Sequence, residues 1–117
     1  MYHMRYSDVV EESGISARER ESALFNRCIE KLIEVQVHNI NSPIVIEAAD
    51  FIEGFWIALI EDLGREDNHL SNHLKASIIS IGIYVMKEMN NLRNGVHVDI
   101  PTLIDISSSL RDGLAIN

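Results

Sequence analysis

Residues 41–64, NSPIVIEAADFIEGFWIALIEDLG, carry both ends and the whole apolar face of one helix. Ser42 suits the N-cap, where a hydroxyl accepts a hydrogen bond from a first-turn amide. Pro43 follows at the first helical position, where a missing N–H does no harm and the fixed φ already matches the helix. Gly64 closes the segment as a C-terminal cap. Between them Ala48, Phe51, Ile52, Phe55, Leu59 and Leu63 recur at helical spacing, with Trp56 and Ile60 one step round from that stripe. A helix apolar over so wide an arc needs neighbours on more than one side, which points to a helical bundle.

The flanking segments repeat this punctuation. Ser16 and Glu19 have capping-box spacing and open a helix predicted to run to about His38. Leu24, Cys28, Leu32 and Val35 form one stripe on it, and Phe25, Ile29 and Ile33 form a second beside the first. Ahead of it, Ser7 to Gly14 reads as a short N-terminal helix. On the C-terminal side a helix is predicted from near Ser71 to about Leu92, with Gly95 just beyond. Its principal face is Leu74, Ile78, Ile81, Val85, Met89 and Leu92. Ile79, Ile83 and Met86 add apolar surface on its other sides, which would put this helix at the centre of the bundle. A last helix, capped by Asp99 or Ile100 and with Pro101 in its first turn, carries Leu103, Ile106, Leu110 and Leu114, Gly113 breaking the final turn. Val96 to Ile100 alternates but is too short to support a sheet. The expected fold is all-α: a single domain over residues 1–117, a compact bundle of four main helices plus the short N-terminal one.

Composition excludes several classes of function. The 117 residues are 46% hydrophobic and 24% charged, the balance of a folded domain and not of a disordered tail. With 10 basic against 18 acidic residues the formal charge is −8, which suits neither nucleic acid nor an anionic membrane surface. Arg5, Arg18, Arg20, Arg27 and Lys31 gather near the N-terminus, but Glu11, Glu12, Glu19, Glu21 and Glu30 interleave with them, as on a solvated helix face. No stretch approaches the roughly 18 apolar residues that a membrane span requires, and residues 1–10 lack the pattern of a secretory signal. Cys28 has no partner for a disulfide, which favours a reducing, cytoplasmic setting.

Catalytic constellations are missing from the sequence. His69 and His73 are four apart, but the expected helix start at Ser71 lies between them, and Leu70 stands where a metalloprotease motif has its glutamate. Glu61 and Asp62 are adjacent, so on a helix they point about 100° apart and do not converge. Near a helix C-terminus they suit an ion pair instead, with Arg93 or Arg111 as the candidate partner. Cys28 falls on an apolar stripe, and Ser107, Ser108 and Ser109 lack a nucleophile elbow. The reading is therefore not an enzyme, and it calls for no metal and no cofactor. Spare apolar surface is what remains, on the second and third helices, and it suits an amphipathic helix laid into a groove. The candidate partner-binding residues are Phe25, Ile29 and Ile33 on one helix and Phe55, Trp56 and Ile60 on the other. Trp56 reads either as an anchor for a partner or as core.

Several segments together resemble the FlaF family of small flagellar biosynthesis regulators from alphaproteobacteria. They are Met1-Tyr2, Tyr6-Ser7-Asp8-Val9-Val10-Glu11, Ala17-Arg18-Glu19-Arg20-Glu21, Leu59-Ile60-Glu61-Asp62-Leu63, Leu74 to Ile83, Leu103-Ile104-Asp105-Ile106 and Leu110-Arg111-Asp112-Gly113-Leu114. The sequence departs from the family pattern at Glu53-Gly54-Phe55, where basic residues are expected, and at Tyr84, where a tryptophan is expected. The resemblance implies a cytoplasmic factor that acts on flagellin, binding its amphipathic terminal helices before export in the manner of a chaperone. It also implies a second reading, a post-transcriptional regulator of flagellin working through a protein partner such as FlbT. A third reading is an obligate homodimer whose wide apolar faces pair with each other.

Overall fold

The computed structural model describes residues 17–38 and 42–115. The short helix expected at Ser7 to Gly14 and the cap expected at Ser16 lie outside the described residues. Within them the chain forms four helices and no strand: α1 (Ala17–Gln36), α2 (Pro43–Leu63), α3 (Asn72–Arg93) and α4 (Ile100–Ala115).

Each boundary has a local chemical cause. At the start of α2 the Ser42 hydroxyl accepts from the Ile44 amide at 3.3 Å, with Pro43 in the first turn. Ser71 does the same for α3, accepting from the Leu74 amide at 3.1 Å. Asp99 caps α4 through both carboxylate oxygens, which accept from the Thr102 amide at 3.2 Å and the Thr102 hydroxyl at 2.8 Å. Those two hydrogen bonds hold the Asp99 carboxyl below the usual carboxylate range. The end of α3 is a Schellman motif. Gly95 takes the left-handed conformation at φ 74°, its amide donates to the Leu92 carbonyl at 3.2 Å, and the Val96 amide donates to the Asn91 carbonyl at 2.9 Å. Gly64, in contrast, closes α2 with right-handed dihedrals (φ −83°, ψ −3°). Gly113 does not break α4, which continues through it to Ala115.

The helices associate as two antiparallel pairs joined through α1 and α2. Arg111 on α4 donates to the Asn26 side chain on α1 at 2.8 Å, and the first residues of α4, Ile100 and Pro101, lie beside Val35 and Gln36 at the end of α1. In the other pair Arg93, at the end of α3, reaches back to Asp50 and Glu53 in the first half of α2.

The most deeply embedded element is α2, not α3. Val45, Ala48, Ala49, Ile52, Phe55, Trp56, Leu59 and Leu63 are all buried on α2, against Ile78, Gly82, Val85, Met89 and Leu92 on α3. The expectation that the helix over residues 71–92 forms the centre is therefore corrected. Its principal face packs inward, but Ile83 points largely to solvent and Ile79 and Tyr84 are partly exposed. Most of the inward stripes read from helical spacing do form the core, including Cys28, Leu32 and Val35 on α1 and Leu103 and Leu114 on α4. Ser107, also inward on α4, is satisfied by donating to the Leu103 carbonyl one turn back at 2.9 Å.

Candidate partner-binding surface

The six residues expected to meet a partner divide between core and surface. Phe25, Phe55 and Trp56 are each at most 1% exposed. They form an aromatic cluster at the α1–α2 junction, with Phe25 edge-on to Phe55 at 4.8 Å between ring centroids. Trp56 stands 6.5 Å from Phe25 and 6.4 Å from Phe55, again edge to face. This geometry suits ring quadrupoles and adds about 0.5–1.5 kcal/mol per pair beyond burial. These three side chains hold α1 against α2 and present nothing to a partner. Of the other three, Ile29 and Ile60 are half-buried and Ile33 is exposed. Ile60 lies at the α2–α3 crossing. Ile29 and Ile33 share the side of α1 on which Asn26 accepts from Arg111 of α4.

The seam between α2 and α3 carries a further apolar surface, to which the candidate Ile60 and the off-face residues Ile79, Ile83 and Met86 belong. The two helices cross closely at Gly82, where an added Cβ would stand 2.9 Å from the Trp56 ring and 3.0 Å from the Ile60 side chain. Along the outer side of this crossing, helical spacing aligns Ile57 and Ile60 of α2 with Ile79, Ile83 and Met86 of α3. Ile57 is 45% exposed and Ile83 66%, while Ile60 and Met86 are partly buried against the core. Their signal was already in the sequence, as apolar residues off the principal face of the helix. What the sequence could not show is that none of the other described helices covers them.

The charges around this seam are asymmetric. α2 carries Glu47, Asp50, Glu53, Glu61 and Asp62 and no Lys or Arg. At one end of the seam the Arg93 guanidinium donates to Asp50 at 2.9 Å and to Glu53 at 2.7 Å. Burial alone would lower the Arg93 pKa, but its hydrogen bonds to the two carboxylates outweigh that and hold it above the ordinary value. The ion pairs expected for Glu61 and Asp62 are thus differently made. Arg93 is taken by carboxylates nearer the α2 N-terminus because the helices run antiparallel. Asp62 instead accepts from Asn68 at 3.2 Å, with Arg65 at 4.0 Å. Arg111 lies against Asp112 at 2.9 Å. Replacing Arg93 with alanine is expected to cost about 1 kcal/mol, the upper end for a partly exposed pair. A double-mutant cycle with Glu53→Gln measures it, and additivity would show that the pair contributes nothing.

Across residues 2–114 the chain matches the family model described as flagellar protein FlaF. It belongs to the FlaF family. Neither a curated protein nor a solved structure matches it. In this FlaF chain the two departures from the family pattern have definite places. Glu53, where a basic residue is expected, is the partner of Arg93. Tyr84, where a tryptophan is expected, is exposed on α3.

The remaining residues weighed for chemistry do not converge in this FlaF fold. His69 and His73 are both exposed on either side of the Ser71 cap. Burial pushes the Cys28 thiol up to about 12, against a smaller opposing pull from Lys31, so it is not an activated thiolate at neutral pH. Among the described residues no three metal-ligating side chains come together, and no helix is long and apolar enough to cross a membrane.

Proposed function

We propose that this chain is a cytoplasmic flagellar assembly factor that binds flagellin before export, shielding its amphipathic terminal helices as a chaperone would. The observation that carries this reading is the family match over residues 2–114. The exposed isoleucines of the α2–α3 seam support it, because a helix-binding protein needs apolar surface that its own fold does not use. In this reading the protein catalyses nothing. It binds through few polar contacts and releases its client readily.

Calorimetric titration of the purified protein with flagellin, and with flagellin lacking its terminal helices, tests the reading. A dissociation constant of about 10 μM or tighter that vanishes with the truncated flagellin is expected. Absence of heat with intact flagellin at tens of micromolar would sink the chaperone role. A pull-down that recovers FlbT and not flagellin would turn the reading toward regulation through a protein partner.

A further inference from the structure

The seam between α2 and α3 has the dimensions and borders of a helix-binding strip. Its exposed and half-buried residues run along α3 from Ala76 through Ile79 and Ile83 to Asn90. At 1.5 Å per residue this is about 20 Å, the length of roughly four helical turns. The middle is apolar, built from Ile57, Ile60, Ile79, Ile83 and Met86. One edge is acidic: Asp50 and Glu61 are exposed on α2 beside Ile57, and Arg93, bonded to both Asp50 and Glu53, offsets only one of those two carboxylates. The other edge carries the positive charge of Lys87, with Ser80 and Asn90 exposed beside it on α3. A second copy of the chain is a poor occupant, because each copy carries a charge of −8 and mutual repulsion opposes its approach.

We propose that this seam docks an amphipathic helix that bears lysine or arginine along the edge facing α2. The inference rests on the reading that the client is helical, and it adds the site, the orientation and the charge the client must carry. The apolar stripe of the client covers Ile57, Ile79 and Ile83, and its basic edge meets Asp50 and Glu61. Selection then comes from charge: a helix with the same stripe and an acidic edge meets like charges on α2 and is rejected.

The test uses the full chain, flagellin, and two synthetic amphipathic peptides of about 18 residues with one shared Leu/Ile stripe. One peptide carries lysines along an edge and the other carries glutamates there. The lysine-edged peptide is expected to bind about tenfold more tightly than the glutamate-edged one. Ile83→Asp is expected to weaken both that peptide and flagellin by about tenfold or more. Glu61→Lys narrows the preference between the peptides. Ile83 is 66% exposed, so its replacement leaves the fold intact, as far-UV circular dichroism will show. Val37→Asp, at a 77% exposed position just after α1, is the control and leaves binding unchanged.

Equal binding of the two peptides overturns the charge selection. Flagellin binding that survives both Ile83→Asp and Ile57→Asp overturns the site while leaving the proposed function standing. Binding of the lysine-edged peptide without any binding of flagellin does the reverse. A wild-type dimer that Ile83→Asp converts to monomers in sedimentation would make the seam a self-interface and end the proposal.

Discussion

Replacing Gly82 with valine is expected to destabilise the protein by about 3 kcal/mol, the upper end of the usual cost of overpacking a core. Against a total stability of about 5–15 kcal/mol for a domain of this kind, that is a substantial fraction. At Gly82 an added Cβ already falls 2.9 Å and 3.1 Å from two atoms of the Trp56 ring and 3.0 Å from the Ile60 side chain. The Trp56 ring cannot swing aside, because Phe25 and Phe55 stand edge-on to it. The helices must therefore separate, and the seam opens with them. Alanine costs less, since its higher helix propensity returns about 1 kcal/mol. Gly64→Ala is the contrasting control: its Cβ would meet only the Glu61 carbonyl at an ordinary 3.5 Å, so stability should hardly change. Urea midpoints compare the three variants. Combining Gly82→Ala with Trp56→Phe should recover stability beyond additivity, because the smaller ring makes the missing space. A Gly82→Val variant as stable as the native protein would show that the crossing yields freely.

The second large effect is expected at Trp56. Its replacement by alanine should cost about 4 kcal/mol, the transfer free energy of a large buried ring plus the cavity it leaves. Trp56 is 1% exposed and lies among Phe25, Phe55 and the Gly82 turn of α3, so its loss loosens α1, α2 and α3 together. The melting temperature reads the loss directly, and phenylalanine at the same position should recover most of it. Because the chain has one tryptophan, its emission reports on this junction. In the native protein it should be blue-shifted and shielded from aqueous quenchers. A red-shifted, readily quenched signal would contradict the burial. Trp56 is thus a monitor of folding, and client binding is better followed by heat or by the peptides.

The helix ends were legible in the sequence because they depend on a few adjacent atoms. Ser42-Pro43, Ser71 and Asp99 each act on an amide within three residues, and Gly95 supplies a backbone conformation of its own. The inward stripes were legible for a similar reason, since helical spacing alone decides which residues share a face. Which apolar residues remain outside was not legible. Trp56 and Ile83 both lie off the principal stripe of their helices, yet one is enclosed and the other largely bare. The difference is set by where the neighbouring helices stand. The same holds for Arg93, whose partners lie 43 and 40 residues away and are chosen by the antiparallel register of α2 and α3. The candidate surface was therefore sought on the right kind of residue, and half of the residues named for it went into the core.

The pairing of α1 with α4 has a consequence for how the chain is made. The α2–α3 pair is local in sequence, joined by residues 64–71, so that hairpin can close as soon as both helices have left the ribosome. The principal neighbour of α1 is the last helix described, synthesised some eighty residues after Phe25, Cys28 and Leu32. Closing that span is the slow, entropically costly event, because its ends are held together only when the last turns arrive. Until α4 emerges, the face of α1 that packs against it is uncovered. The emerging protein passes through a stage in which it, like the client proposed for it, has apolar helical surface to protect.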